Sequence, residues 1–264
     1  MGGGHSRAFA PPCAGVPGWI SAARSESGPM RPLNEDRLVD MPEAGLWAVA
    51  DGMGGHEGGD WASAKIVEEL EQIRFPKAFD DACISIANAI HTANMVIYRQ
   101  SLRRGKQMGS TVVALFAQDR RFVVFWCGDS RAYLLRDGTL HRVSRDHSQV
   151  QEMVDRGLID PKDADGHPMG HVLARAVGVR DTLELDSVQD EIQPGDVFLL
   201  CSDGLHGYVA EAEIARLLAR GTPDQAADQL VAMTLERGAP DNVTVITVSF
   251  TEPTLLSLPE SVTA

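Results

Sequence analysis

Five short acidic turns in this chain carry the residue types that hold hard cations: Asn34-Glu35-Asp36, Asp51-Gly52, Gly128-Asp129, Ser202-Asp203-Gly204 and Asp241-Asn242. They abut apolar runs, among them residues 46–50, 122–127, 197–201 and 243–250, whose β-branched and aromatic content suits buried strands. Carboxylates gathered at one rim of a sheet repel one another unless a cation neutralises them. Oxygen ligands in this number favour magnesium or manganese, whereas zinc would call for His and Cys.

The positions of these acids follow from strand arithmetic. Residues 37–40 and 46–50 flank Met41-Pro42-Glu43-Ala44-Gly45, a strand, turn, strand pattern in which Pro and Gly supply the bend. Asp36 and Asp51 stand equally far from the turn centre, so antiparallel pairing sets them side by side at the open end of the hairpin. A second fold-back, 111–117 against 122–127, returns Asp129 to the level of Gly109 and Ser110. Asp203 closes one strand and Asp241 opens another, which brings both to one edge if those strands are antiparallel. Asp137-Gly138 is the contrasting case: between 132–136 and 139–143 it needs no role beyond a two-residue hairpin turn.

Apolar residues at helical spacing predict helices over 60–75, 81–102, 211–220 and 223–237, the last with Pro in its first turn. Two strand groups and two helix pairs predict an α+β fold, with antiparallel sheets inside and helices outside. Segment 145–178 breaks the strand rhythm and reads as a lid-like insertion with a short helix near 150–156, whose start Asp146 and His147 are expected to order. Residues 1–17 read as a loose leader, 18–250 as one catalytic domain and 251–264 as a loose tail.

Composition narrows the partners. A formal net charge of -13 opposes a nucleic-acid partner, whose binding depends on Lys and Arg stripes. No run approaches the roughly 18 apolar residues of a membrane span, and the first residues lack the plan of a secretion signal. A cytoplasmic protein is the expectation. Cys13, Cys83, Cys127 and Cys201 are too few and scattered for a disulfide framework or a CxxC metal site, so Cys127 and Cys201 read as small buried hydrophobes.

Six motifs in order, Gly28-x-x-Arg31-x-x-Asn34-Glu35-Asp36, Ala50-Asp51-Gly52-Met53-Gly54-Gly55-His56, Gly109-Ser110-Thr111, Gly128-Asp129-Ser130-Arg131, Cys201-Ser202-Asp203-Gly204-Leu205 and Pro240-Asp241-Asn242-Val243-Thr244, resemble the metal-dependent protein serine/threonine phosphatases. This is the PPM or type 2C family, in its compact bacterial form. The resemblance covers roughly residues 19–250 and implies a four-layer αββα sandwich with two Mn2+ or Mg2+ ions at one end. Asp51 would bridge both ions, Asp203 and Asp241 would complete one, and Asp36, the Gly52 carbonyl and, through water, Glu35 would serve the other. A third ion would join Asp129 to Asp203, and Arg31 would hold the substrate phosphate. The implied reaction is attack of a metal-bridging water on a phosphoserine or phosphothreonine.

Some positions carry plainer readings. Met53 stands where better-known eukaryotic members place a proton-donating His, which leaves His56 as the acid to weigh against a loop His bonding backbone. His171 stands where similar bacterial segments carry Asn. Asp129 has a structural alternative as a partner of Arg131. The implied partner is a phosphoprotein, a bacterial serine/threonine kinase or its target, acted on by a monomer. Arg145-Asp146-His147-Ser148 and a Trp-bearing first strand resemble the forms that accompany type VI secretion. Two rivals are a silent phosphate-sensing module, which would have lost ligands, and a two-metal phosphodiesterase or nuclease. The latter is disfavoured by the missing basic surface and stacking platforms.

Overall fold

A computed structural model describes residues 18–54, 58–164, 167–170 and 172–251. In chain order its strands and helices are β1 (Gly18–Glu26), β2 (Asp36–Met41), β3 (Leu46–Met53), α1 (Gly58–Glu71), α2 (Phe79–Arg104), β4 (Gly109–Ser110), β5 (Val112–Gln118), β6 (Arg121–Cys127), β7 (Arg131–Arg136) and β8 (Thr139–Arg142). There follow α3 (Gln149–Asp155), β9 (Asp186–Glu191), β10 (Val197–Cys201), α4 (Asp203–His206), α5 (Glu211–Leu218), α6 (Pro223–Glu236) and β11 (Val243–Thr251). One antiparallel sheet has the order β1-β11-β10-β7-β8, and the other runs β2-β3-β5-β6-β9 with β4 added beside β3.

Three apolar layers explain why the strand sequences are nearly continuous hydrophobic runs. Trp47, Val49, Leu115 and Val124 face Leu134, Phe198, Leu200 and Ile246 between the two sheets. The alternate residues Leu46, Ala48, Ala114 and Phe125 pack on Ile66, Ile86, Ile90 and Ile97 of α1 and α2. On the far side, Tyr133, Leu199 and Val245 pack on Ile214, Leu218 and Leu230 of α5 and α6. Central strands are thus buried on both faces, and the result is the four-layer αββα sandwich with its two helix pairs outside.

Local chemistry places the ends of these elements. Thr222 caps α6 by accepting from the Gln225 amide at 3.3 Å while Gln225 accepts from the Thr222 amide at 3.2 Å, and Pro223 fills the first turn. At the β7–β8 hairpin, Asp137 and Gly138 both adopt positive φ, 50° and 76°, as a two-residue turn of this hand needs.

One strand escapes the sequence pattern, and the Trp-bearing first strand lies at a sheet edge. In β9 only the first residue escapes full exposure, so it lacks the alternation that marks a half-buried strand. In β1 a partly exposed edge strand binds the long β11, with Gly18 opposite Thr251 and Glu26 opposite Val243. Segment 145–178 contains α3 and a single 3-10 turn at Pro161–Asp163, and returns to the core through pairings of Ser148 with Leu173 and of Ser110 with Val177.

Phe198 is fully buried at the junction of the sheets, its ring 4.9 Å from that of Phe122. Phe198→Ala is expected to cost about 3–5 kcal/mol of unfolding free energy, to be read from the shift of the urea midpoint.

Candidate active site

Asp36 opens β2 and Asp51 lies near the end of β3, and the strand register pairs them directly. The β5–β6 register matches Val112 with Cys127, and the chain turns at Gly128 into Asp129 at the same end, where Ser110 is paired with Gly52 on one side and Val177 on the other. The β10–β11 register matches Cys201 with Val245, so Asp203 and Asp241 leave their strands at one edge. Both sheets therefore deliver acids to the same end. Arg31, Glu35, Asp51, Asp129, Asp203 and Asp241 line one cavity of about 820 Å³.

Ser202 joins the halves: its hydroxyl donates to Asp36 Oδ2 at 2.8 Å and accepts from the Thr244 amide at 3.0 Å. Thr111 Oγ1 accepts from the Asp51 amide at 3.0 Å and shares a 2.6 Å hydrogen bond with Ser130 Oγ, tying Asp51 to the Asp129 turn. Asn242 anchors the loop that carries Arg31 and Glu35. It accepts from the Glu35 amide at 2.8 Å and donates to the carbonyls of Ser27 and Leu33 at 2.8 and 3.2 Å. The sequence reading named Ser202 and Asn242 only as motif neighbours, because a polar side chain that bonds distant backbone leaves no periodic signal.

The turn after Asp51 depends on one close approach of backbone. A Cβ on Gly52 would lie 2.2 Å from the Gly59 carbonyl oxygen and 2.7 Å from that of Glu35, so only glycine lets α1 start against the strand end. Gly128, at φ 113°, turns the chain into Asp129 with no room for a side chain against Thr111.

Electrostatics at this end are severe. Burial drives the Asp51 carboxyl well above its usual range, with Asp36, Asp203, Asp129 and Asp241 adding to the effect. Burial likewise raises Asp36 to about 6 against the hydrogen bonds it accepts, and raises Asp129 to about 8 with help from Asp203. Two like charges about 4 Å apart cost about 4 kcal/mol at an effective dielectric near 20, while a hydrogen bond to a charged group contributes about 1.5–3. Such bonds cannot offset the repulsion of several acids. Protons or cations must complete the site.

The donor set fits divalent hard cations. It consists of carboxylates, and Asp36 Oδ1 is buried with no hydrogen-bond partner, a lone pair available to an ion. Among the described residues no three such side chains are already drawn into a finished cage. Asp241 Oδ2, for instance, accepts from Arg31 Nη2 at 2.8 Å. Side-chain rotation within a fixed backbone frame would close the cage.

Arg131 does not serve Asp129 as a hydrogen-bonded partner: its Nε and Nη2 grip Asp146 at 2.7–3.2 Å, and Nη1 meets the Tyr133 hydroxyl. His206, held neutral by burial with its pKa lowered to about 4, donates from Nε2 to the Asp129 carbonyl at 3.0 Å. His206 was not singled out in sequence; it is one more polar residue on the short α4. Met53 lines the cavity, whereas His56 and His171 lie outside the described residues.

The raised carboxyl pKa values have a consequence of definite sign. The folded protein keeps protons that the unfolded chain, with carboxyl pKa values near 4, has released. Stability from Asp36 and Asp129 is therefore present at low pH and lost as pH rises through about 6 and about 8. Chelated protein is expected to melt progressively lower between about pH 5 and pH 8, and Mn2+ is expected to restore Tm most at the upper end, in a fluorimetric melt series.

Comparison with known proteins agrees with this geometry. Residues 31–153 match the family described as Protein phosphatase 2C. The serine/threonine phosphatase stp of Listeria innocua is 34% identical over 204 residues, covering 74% of this chain and 81% of that protein. The serine/threonine protein phosphatase PstP of Mycobacterium tuberculosis is 36% identical over 199 residues, 75% of this chain, and the matched part spans only 38% of that relative's length. A crystal structure of the PstP catalytic domain in complex with two manganese ions superposes with a TM-score of 0.81 at 33% identity, covering 89% of this chain and 100% of that one. PppA, described as a key regulatory component of the type VI secretion system in Pseudomonas aeruginosa, superposes at 0.84 with 40% identity, covering 89% and 99%. With acids from both sheets meeting in one cavity, and with the Listeria innocua phosphatase 34% identical and matched over 81% of its length, the chain belongs to the protein phosphatase 2C family.

Proposed function

We propose that this protein removes phosphate from phosphoserine and phosphothreonine in proteins, with Mn2+ or Mg2+ as cofactor. The observation that carries the reading is the meeting of Asp36, Asp51, Asp129, Asp203 and Asp241 with Arg31 at one end of the sandwich. A pair of divalent ions, when bound, would supply an activated water for in-line attack on phosphorus.

The chain's own residues do the rest. Asp51 is paired with Asp36 and feels the charges of Asp203, Asp129 and Asp241, which suits it to hold both ions. Asp203 and Asp241 would serve one ion, and Asp36, the Gly52 carbonyl and, through water, Glu35 the other, with Asp129 available to a third alongside Asp203. Arg31 offers a planar fork to the phosphoryl oxygens, and its present partner Asp241 keeps it at the cavity wall. His56, three residues beyond Met53, is proposed as proton donor to the departing oxygen.

We assign the protein to the cytoplasm, acting as a monomer on a serine/threonine kinase or that kinase's target. The free thiols of Cys83, Cys127 and Cys201 suit a reducing compartment, and no helix among the described residues is long and apolar enough to cross a membrane. The likeness to PppA, described as a key regulatory component of the type VI secretion system, supports a role in regulating such secretion.

Asp203→Asn is expected to lower phosphate release from a phosphothreonine peptide by at least about 100-fold with an unchanged circular dichroism spectrum. Near wild-type turnover would remove the metal-centred reading, and activity on nucleic acid in place of the peptide would replace the phosphatase reading with that of a two-metal phosphodiesterase. Arg31→Ala is expected to lower kcat/KM by about 10–100-fold, the loss of a charge-assisted hydrogen bond or two, with Mn2+ binding preserved in calorimetry.

A further inference from the structure

His147 lies outside the acid cluster, yet it is fastened both to the turn that carries Asp129 and to the Ala174–Arg175 segment, each of which contributes lining to the cavity. On one side its amide donates to the Gly128 carbonyl at 2.8 Å, and its ring Nδ1 accepts from the Gly128 amide at 3.2 Å. Gly128 directly precedes Asp129. On the other side its carbonyl accepts from the amides of Ala174 and Arg175, at 2.7 and 3.4 Å, and both of those residues line the cavity.

Because Nδ1 accepts, the ring proton sits on Nε2, which meets Asp186 Oδ2 at 3.2 Å. The other oxygen of Asp186 takes Arg175 Nη1 at 3.1 Å. One carboxylate thus ties the imidazole to a guanidinium at the cavity wall. The ring itself is only 5% exposed and stacks on Trp126 at 6.3 Å, so it cannot drift. A residue that merely began the insertion would not need three backbone and two ring hydrogen bonds spread over the Gly128 turn, β9 and the Ala174–Arg175 segment.

Resting on the phosphatase reading above, we propose that His147 is a positioning residue that fixes the separation between the Asp129 turn and the Ala174–Arg175 wall. Through Gly128 it sets how Asp129 approaches the ions. Through Asp186 it aims Arg175 at the peptide around the phosphoryl group.

The two halves can be separated by isosteres. Asn places an oxygen near the position of Nδ1 but cannot reach Asp186, whereas Gln reaches Asp186 but leaves the Gly128 amide without its acceptor. His147→Asn is expected to raise KM for a phosphothreonine peptide about tenfold, with kcat within about twofold and para-nitrophenyl phosphate turnover unchanged. Asp186→Ala, at a half-exposed position that tolerates change, should reproduce that pattern. His147→Gln is expected to lower kcat about tenfold on both substrates and to weaken Mn2+ binding in calorimetry.

Equal losses in both His147 variants on both substrates, in proportion to a lowered Tm, would overturn the proposal, as would the reverse split or no loss in any variant. Failure of the wild-type protein to act on either substrate with Mn2+ present would instead overturn the phosphatase reading beneath it.

Discussion

Burying like charges together is the constraint on which this structure depends. The acids reach one end of the sandwich by strand register, not by loop flexibility, and once there they raise one another's pKa values. A fold that gained only stability would have replaced Asp36 or Asp129, whose desolvation costs more than their hydrogen bonds return. Their retention makes the frame, in effect, a receptor for positive charge.

The site straddles the interface between two sheets, so it inherits its rigidity from the packing there. Trp47, Leu115 and Phe198 fix the sheets face to face, while Ser202 reaches from the end of one sheet to Asp36 on the other. Asn242 and Thr111 perform the same service for the Arg31 loop and the Asp129 turn. These bonds come from small polar side chains, and the Ser202 hydroxyl occupies one oxygen of Asp36 while leaving the other without a hydrogen-bond partner.

Much of this was legible in the sequence. The equal distance of Asp36 and Asp51 from one turn fixed their pairing, and doubly buried strands such as β5 and β6 announced themselves as apolar runs. The contrast with Asp137-Gly138 also held, since that pair makes the expected tight turn. What escaped has physical causes. β9 exposes nearly all its side chains and is a strand only because β6 offers an unpaired edge. The contacts of His147, His206 and Asn242 run over long sequence separations and depend on tertiary placement that no local pattern encodes. Arg131 beside Asp129 in sequence looked like its partner, but Asp146, fifteen residues on, offers a bidentate acceptor.

The antiparallel pairing of β1 with β11 has an architectural consequence. Glu26 and Val243 lie at the catalytic end, and Gly18 and Thr251 at the opposite pole, roughly 27 Å away along the strands. Both junctions with the rest of the polypeptide therefore emerge side by side, on the blind side of the molecule. A tether, anchor or fused module attached at either junction would leave the mouth of the cleft unobstructed, so the fold can be joined to other units without covering its acidic end.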